Sequence, residues 1–162
     1  KHLGASIIAD RKLIRGDHGH SSTIEHIVME PDGKVCYCGK RGCMETLCSL
    51  HSLLKPDEDI DTFFEQARLP DNDASARWEI FLKNLAKAIN LLHLIYDKTF
   101  ILGGYLAPYF TQNDLDFLYK EVEGLTPFPE NRDFLQISKM PDHNITIGAA
   151  LPYIRQFWED YK

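Results

Sequence analysis

The chain has four cysteines, Cys36, Cys38, Cys43 and Cys48, all inside one short window. A disulfide framework spreads its cysteines so that each bridge ties distant segments. A cluster this tight points instead to a metal ion and a reducing compartment. Three of the four sit in Cys36-Tyr37-Cys38-Gly39-Lys40-Arg41-Gly42-Cys43, where Gly39 and Gly42 permit the tight turns that let sulfurs converge. His26, upstream at the end of an expected strand, adds an imidazole. Three thiolates and one imidazole make a set that Zn²⁺ takes as a closed tetrahedron, leaving no position for a catalytic water, so the expected role is structural. The expected ligands are His26, Cys36, Cys38 and Cys43, carried on a loop insert of about residues 26–45. The competing reading is four free cysteines beside a surface histidine. Cys48 falls in the following helix and reads as a small core residue.

Around that loop the hydrophobic pattern changes period. Residues 3–9 and 12–15 read as strands about a turn at Asp10-Arg11, and residues 24–29 as a third, giving an antiparallel meander. Beyond Cys43, Met44, Leu47, Leu50, Leu53 and Leu54 suit a short helix, and residues 60–67 suit another. Trp78, Phe81, Leu82, Leu85, Ile89, Leu92 and Ile95 recur at three- and four-residue steps, which predicts one long helix over about 74–96. Residues 99–102 and 134–137 read as short buried strands, residues 113–122 as a helix and 147–161 as a closing helix. Strands first, then helices that cross over to further strands, imply an α/β architecture: a mixed five-stranded sheet covered by helices. The whole of 1–162 reads as a single domain.

Charge and hydropathy narrow the function. With 24 acidic and 18 basic residues the net charge is −6, so these residues are not expected to grip nucleic acid on their own. No apolar run approaches the ~18 residues of a membrane span, and no leader pattern opens the chain. A cytoplasmic protein with no membrane partner is expected. The chain starts at Lys1 and reads as a strand almost at once, so a piece of a longer protein is expected. His18 and His20 read as exposed loop residues. His93 reads as a packed helix residue, and Phe157, Trp158 and Tyr161 as a packing face of the closing helix.

The stretch Gly16, His26, Cys36-x-Cys38-Gly39-x-x-Gly42-Cys43-x-Glu45 resembles the signature of the ROK family (repressor, open reading frame, kinase), which pairs sugar kinases with sugar-responsive repressors. Ile101-Leu102-Gly103-Gly104 and Ile147-Gly148-Ala149-Ala150 resemble its later landmarks in the same order. The resemblance implies the C-terminal lobe of an actin-like, RNase H-like two-lobed fold. It also implies a sugar held by His26 and Glu45, with one imidazole nitrogen on the metal and the other toward the ligand.

Two positions depart from the family pattern. Thr23 stands where the family carries a sugar-binding Glu, and Glu25 replaces a Gly. The family's Gly-x-Gly-x-Gly turn, which approaches nucleotide phosphates, is His2-Leu3-Gly4-Ala5-Ser6 here, and a side chain obstructs that approach. Gly4, Gly103 and Gly104 are the nucleotide-side candidates that remain. The resulting expectation is a non-catalytic, sugar-binding effector lobe of a transcriptional regulator. Its ligand would be a sugar or sugar phosphate, DNA would be reached through a separate N-terminal domain, and two chains would form a homodimer. The alternative is the C-terminal lobe of a sugar kinase using ATP and Mg²⁺, with its catalytic Asp in the other lobe. A zinc-stabilised interaction module is a third reading.

Overall fold

A computed structural model describes residues 2–128, 131–139 and 144–161. Strands β1 (Ile8–Ala9) and β2 (Lys12–Leu13) form a hairpin. Its two-residue loop, Asp10-Arg11, has φ of 50° and 63°. Positive φ at both central positions is the turn geometry that matches strand twist. A single 3₁₀ turn spans Ile24–His26. The cysteine loop then leads into α1 (Glu45–Cys48), α2 (Leu50–Leu53), α3 (Ile60–Ala67) and the long α4 (Asp73–Tyr96). Next come β3 (Phe100–Leu102), a 3₁₀ segment at Gly104–Tyr109, α5 (Gln112–Leu125), β4 (Leu135–Ile137) and α6 (Asn144–Asp160).

The two strand pairs correct the expected five-stranded sheet. Among the described residues there are two two-stranded sheets: β1 with β2 antiparallel, and β3 with β4 parallel, Phe100 opposite Leu135. The expected third strand is absent because residues 27–30 pair with the cysteine loop instead. Gly42 O accepts from Met29 N (2.8 Å) and Glu30 N (3.1 Å), and Ile27 O accepts from Met44 N (2.8 Å). Those groups are therefore unavailable to β2, and His26 ends a 3₁₀ turn rather than a strand.

Helix α4 is the spine because both of its flanks are apolar. Trp78, Phe81, Leu82, Ala86 and Ile89 join the larger core with Phe63, Phe64, Leu118, Val122 and Leu135. Ala88 and Leu92 meet a smaller cluster with Met44 and Cys48, against which Leu3, Ile24, Ile27 and Met29 pack. That second cluster seats the cysteine loop and the chain's first residues on the same helix. Asn72 starts α4 with a capping box: its side chain accepts from Ser75 N, and Ser75 Oγ accepts from Asn72 N.

Candidate functional site

Backbone hydrogen bonds shape the cysteine loop. Lys40 O accepts from Cys36 N (2.7 Å), Cys36 O from Gly39 N (2.9 Å), and Lys34 O from Gly42 N (2.9 Å). Gly42 has φ +66°, and a Cβ there would lie 1.4 Å from Glu30 O. Only glycine lets the strand-like flank and the loop come this close.

Within this loop His26, Cys36, Cys38 and Cys43 each present one ligand atom, all within 4.8 Å of one another. Cys38 Sγ lies 3.7 Å from Cys43 Sγ, and Cys36 Sγ lies 3.8 Å from His26 Nδ1. Metal–sulfur bonds of about 2.3 Å in a tetrahedron put sulfurs about 3.8 Å apart, so these spacings and this donor set suit zinc. A bonded disulfide would be far shorter, and all four cysteines are free. Burial pushes the Cys43 thiol up to about 12. The exposed Cys38 is held below the ordinary thiol range, first by the Lys40 backbone N–H. A cation is what would hold Cys43 as a thiolate. Cys48 is buried against Met44 and Leu92, and burial lifts its thiol to about 12, so it behaves as core.

His26 turns Nδ1 to the thiols and Nε2 away from them, 3.9 Å from Glu25 Oε1. Glu45, the first residue of α1, has a buried carboxylate. Oε1 accepts from His2 Nδ1 (2.7 Å) and Oε2 from Leu3 N (2.8 Å). Glu45 borders an open cleft of about 390 Å³ that His2, Lys34, Tyr37, His51 and Ser52 also line. Tyr37 joins the cleft to the cysteine cluster, its ring edge-on to His2 (4.9 Å) and to His26 (5.1 Å). Its phenol is pushed up by desolvation and then by Glu25 and Glu45.

The remaining candidates fall elsewhere. Thr23 is exposed and donates its hydroxyl to His20 O (2.8 Å), and it is not among the residues lining the cleft. Gly4 and Gly104 leave open space where a Cβ would stand, and Gly104, with φ +73°, opens the 3₁₀ segment that follows β3. His18 and His20 are exposed, and His93 is buried against Phe134. Sequence reasoning missed Tyr37, Lys34, His51 and Ser52 as cleft residues. The position of Tyr37 between two metal-spaced cysteines was the available signal. The α2 residues carry none, because only the chain's fold brings them beside Glu45.

A family model described as ROK family matches residues 2–154. The chain belongs to the ROK family. Among curated ROK relatives, the DNA-binding transcriptional repressor Mlc of Escherichia coli K12 is 43% identical over 56 residues, 33% of this chain and 13% of Mlc. Glucokinase of Thermotoga maritima is 27% identical over 124 residues, 63% of this chain and 39% of the enzyme. A solved ROK family glucokinase from Streptomyces griseus, in complex with glucose and AMPPNP, superposes with a TM-score of 0.76 at 26% identity, covering 92% of this chain and 56% of that one. The chain therefore has the ROK-kinase, actin-like fold. It spans well under half the length of these curated relatives and about half of the solved one. Both regulators and sugar kinases are among its ROK relatives.

Proposed function

We propose that the chain is the C-terminal, sugar-binding effector lobe of a ROK-type transcriptional regulator, stapled by a structural zinc ion on His26, Cys36, Cys38 and Cys43. In this reading residues 1–162 form one domain of a longer, two-lobed cytoplasmic protein that acts as a homodimer and meets DNA through a separate N-terminal domain. Zinc, when bound, cross-links the loop and orients His26. The chain's own residues do the recognition. Glu45 accepts from sugar hydroxyls, and the His26 ring, turned by its Nδ1 side toward the sulfurs, offers Nε2. Thr23 is a third contact once its hydroxyl leaves the His20 carbonyl. A ligand that binds the closed arrangement of the lobes better than the open one shifts the equilibrium and with it operator affinity.

The observation that carries this reading is the turn at residues 2–6. Where the family's glycine turn meets nucleotide, this chain has His2, and that imidazole is hydrogen-bonded to Glu45 (2.7 Å). A side chain there obstructs phosphate approach, which argues against phosphoryl transfer. The likeness to Mlc over the part of the chain it matches is consistent with a regulator. The likeness to two glucokinases keeps the kinase alternative, with ATP and Mg²⁺, as the reading to be tested against it.

The test uses the full-length protein with glucose, ATP and Mg²⁺. We expect calorimetric sugar binding that weakens about tenfold or more in Glu45→Ala, as loss of a charge-assisted hydrogen bond implies, and no sugar-dependent ADP release. Sugar-dependent ADP release that disappears in Glu45→Ala would move the protein to the kinase branch. Sugar binding indifferent to Glu45→Ala would remove the proposed site and leave the metal assignment standing.

A further inference from the structure

The four cysteines differ in access. Cys36, Cys43 and Cys48 are buried, at 4%, 0% and 3% exposure, whereas Cys38 is exposed. The approach to Cys38 is open on both sides: Tyr37 is itself exposed, and nothing lies within 4 Å of where a Cβ on Gly39 would stand. A small solute therefore reaches one sulfur of the His26, Cys36, Cys38 and Cys43 set and not the other two. That sulfur has a partner at hand. Cys38 Sγ stands 3.7 Å from Cys43 Sγ, and a disulfide bond is about 2.05 Å long, so a small movement closes the pair. Cys43 is pinned on both sides, with Gly42 N donating to Lys34 O (2.9 Å) and Met44 N to Ile27 O (2.8 Å). Cys38 sits on the exposed turn before Gly39, whose φ is +85°, and is the member that moves. Cys36 Sγ is engaged by His26 Nδ1 at 3.8 Å, and Cys48 lies in the core with Met44 and Leu92, outside the ligand cluster.

We infer that Cys38 is an oxidation site, at which a peroxide converts Cys38 and Cys43 to a disulfide and discharges the metal. The Cys38 thiolate attacks one peroxide oxygen, the O–O bond breaks, and a sulfenic acid and a hydroxide ion form. The Cys43 thiolate then attacks the Cys38 sulfur, the S–S bond forms, the S–O bond breaks and a second hydroxide leaves. Two thiolates and one peroxide thus give one disulfide and two hydroxides, which solvent protons turn to water. The two sulfurs lose two electrons and the peroxide oxygens gain them. Because the thiolate is the ligating form, the loop then keeps only His26 and Cys36 and releases the ion. In a reducing compartment the bridge is transient, since exchange with a dithiol restores both thiols. The inference rests on the metal assignment and is independent of the sugar reading.

Zinc-loaded full-length protein, treated with hydrogen peroxide beside a chromogenic zinc indicator, tests it. We expect about one zinc per chain to be released. Trypsin cuts after Lys40 and Arg41, which parts Cys36 and Cys38 from Cys43 and Cys48. The expected product is therefore two peptides joined by a disulfide that tandem mass spectrometry places on Cys38 and Cys43, with Cys36 and Cys48 still open to alkylation. A dithiol reductant and added zinc should restore the metal and the melting temperature. Cys38→Ser already loses the metal, so the control variant is Cys48→Ala, which should release zinc at the wild-type rate. A bridge made through Cys36 or Cys48 overturns the inference. So does zinc release in which Cys38 ends as a sulfinic acid with no bridge, or release that is as fast without peroxide. Protein that holds its zinc under peroxide removes this inference alone, and protein that purifies without zinc removes it together with the metal assignment.

Discussion

Gly42 is the tightest point of the cysteine loop, and it shows how much rests on a single missing side chain. A Cβ would sit 1.4 Å from Glu30 O, in backbone that neither flank can move without losing the bonds to Met29, Glu30 and Lys34. Gly42→Ala adds a positive-φ penalty to that clash and is expected to cost about 2–4 kcal/mol. Thermal melting of the variant checks this, and a loss under about 0.5 kcal/mol would refute the account, since that is the range of a harmless surface change. The metal expectation is separate. Purified, reductant-treated protein should carry about one zinc per chain by elemental analysis, and Cys38→Ser should lose it. Structural zinc sites contribute on the order of 10 kcal/mol in small domains, so chelation should also lower the melting temperature strongly. Metal analysis without zinc would sink the assignment. At this scale the sequence was readable wherever chemistry is local. The spacing of Cys36, Cys38 and Cys43 and the two glycines marked the loop, whereas His2 reaches the cleft only through its contact with Glu45, distant in sequence.

Between elements, the carboxylate of Asp114 does the most joining. It caps α5, with Oδ2 accepting from Thr111 N (2.7 Å), while Oδ1 accepts from Trp78 Nε1 of α4 (2.7 Å) and Arg68 Nη1 (3.0 Å). Burial pushes the carboxyl up, but the donors Arg68, Thr111 and Trp78 outweigh it, and the group is held below the usual carboxylate range. Because the folded value lies below the unfolded one of about 3.9, its contribution is complete above about pH 4 and is lost as pH falls through the folded value. Asp114→Asn, which turns an NH₂ toward some of these donors, should cost about 2–4 kcal/mol at pH 7. Its denaturant midpoint should then fall less steeply than wild type's below pH 4. Parallel acid profiles for the two proteins would contradict this. The elements themselves were unevenly legible. Helices α3 and α4 agree closely with the expected spans because capping and period are local properties. Ile95 was expected inward and is exposed, since α4 outruns the core at that end. Strands depend on partners, and residues 27–30 found theirs in the cysteine loop while Ile24–His26 closed into a 3₁₀ turn.

On the scale of the whole molecule, α6 stands apart. Residues 146–161 are all exposed, so the described part of this helix buries no face on the rest of the chain. Yet Ile147, Leu151, Ile154, Phe157, Trp158 and Tyr161 follow helical steps, and the Phe157 ring meets both other aromatic rings, Tyr161 at 4.6 Å and Trp158 at 5.7 Å. A lone helix of this length is marginal in water, and Pro152 removes one of its hydrogen bonds. Its stability must then come from packing this stripe against something. The sequence showed the stripe plainly but read it as a packing face, because a hydrophobic period states that a face will be covered and not by what. In a preparation of residues 1–162 alone, the available apolar surface is another copy, and a two-fold arrangement buries the same stripe on both. We therefore expect this chain to sediment as a dimer at tens of micromolar. Trp158→Glu, which places a charge in the middle of the stripe, should return it to monomer without lowering the melting temperature of the α4 core. If the wild-type chain is monomeric at high micromolar concentration, the stripe is not self-complementary. A Trp158→Glu dimer as tight as wild type would place the contact on another face, such as the one exposed at Ile80 and Ile95 on α4.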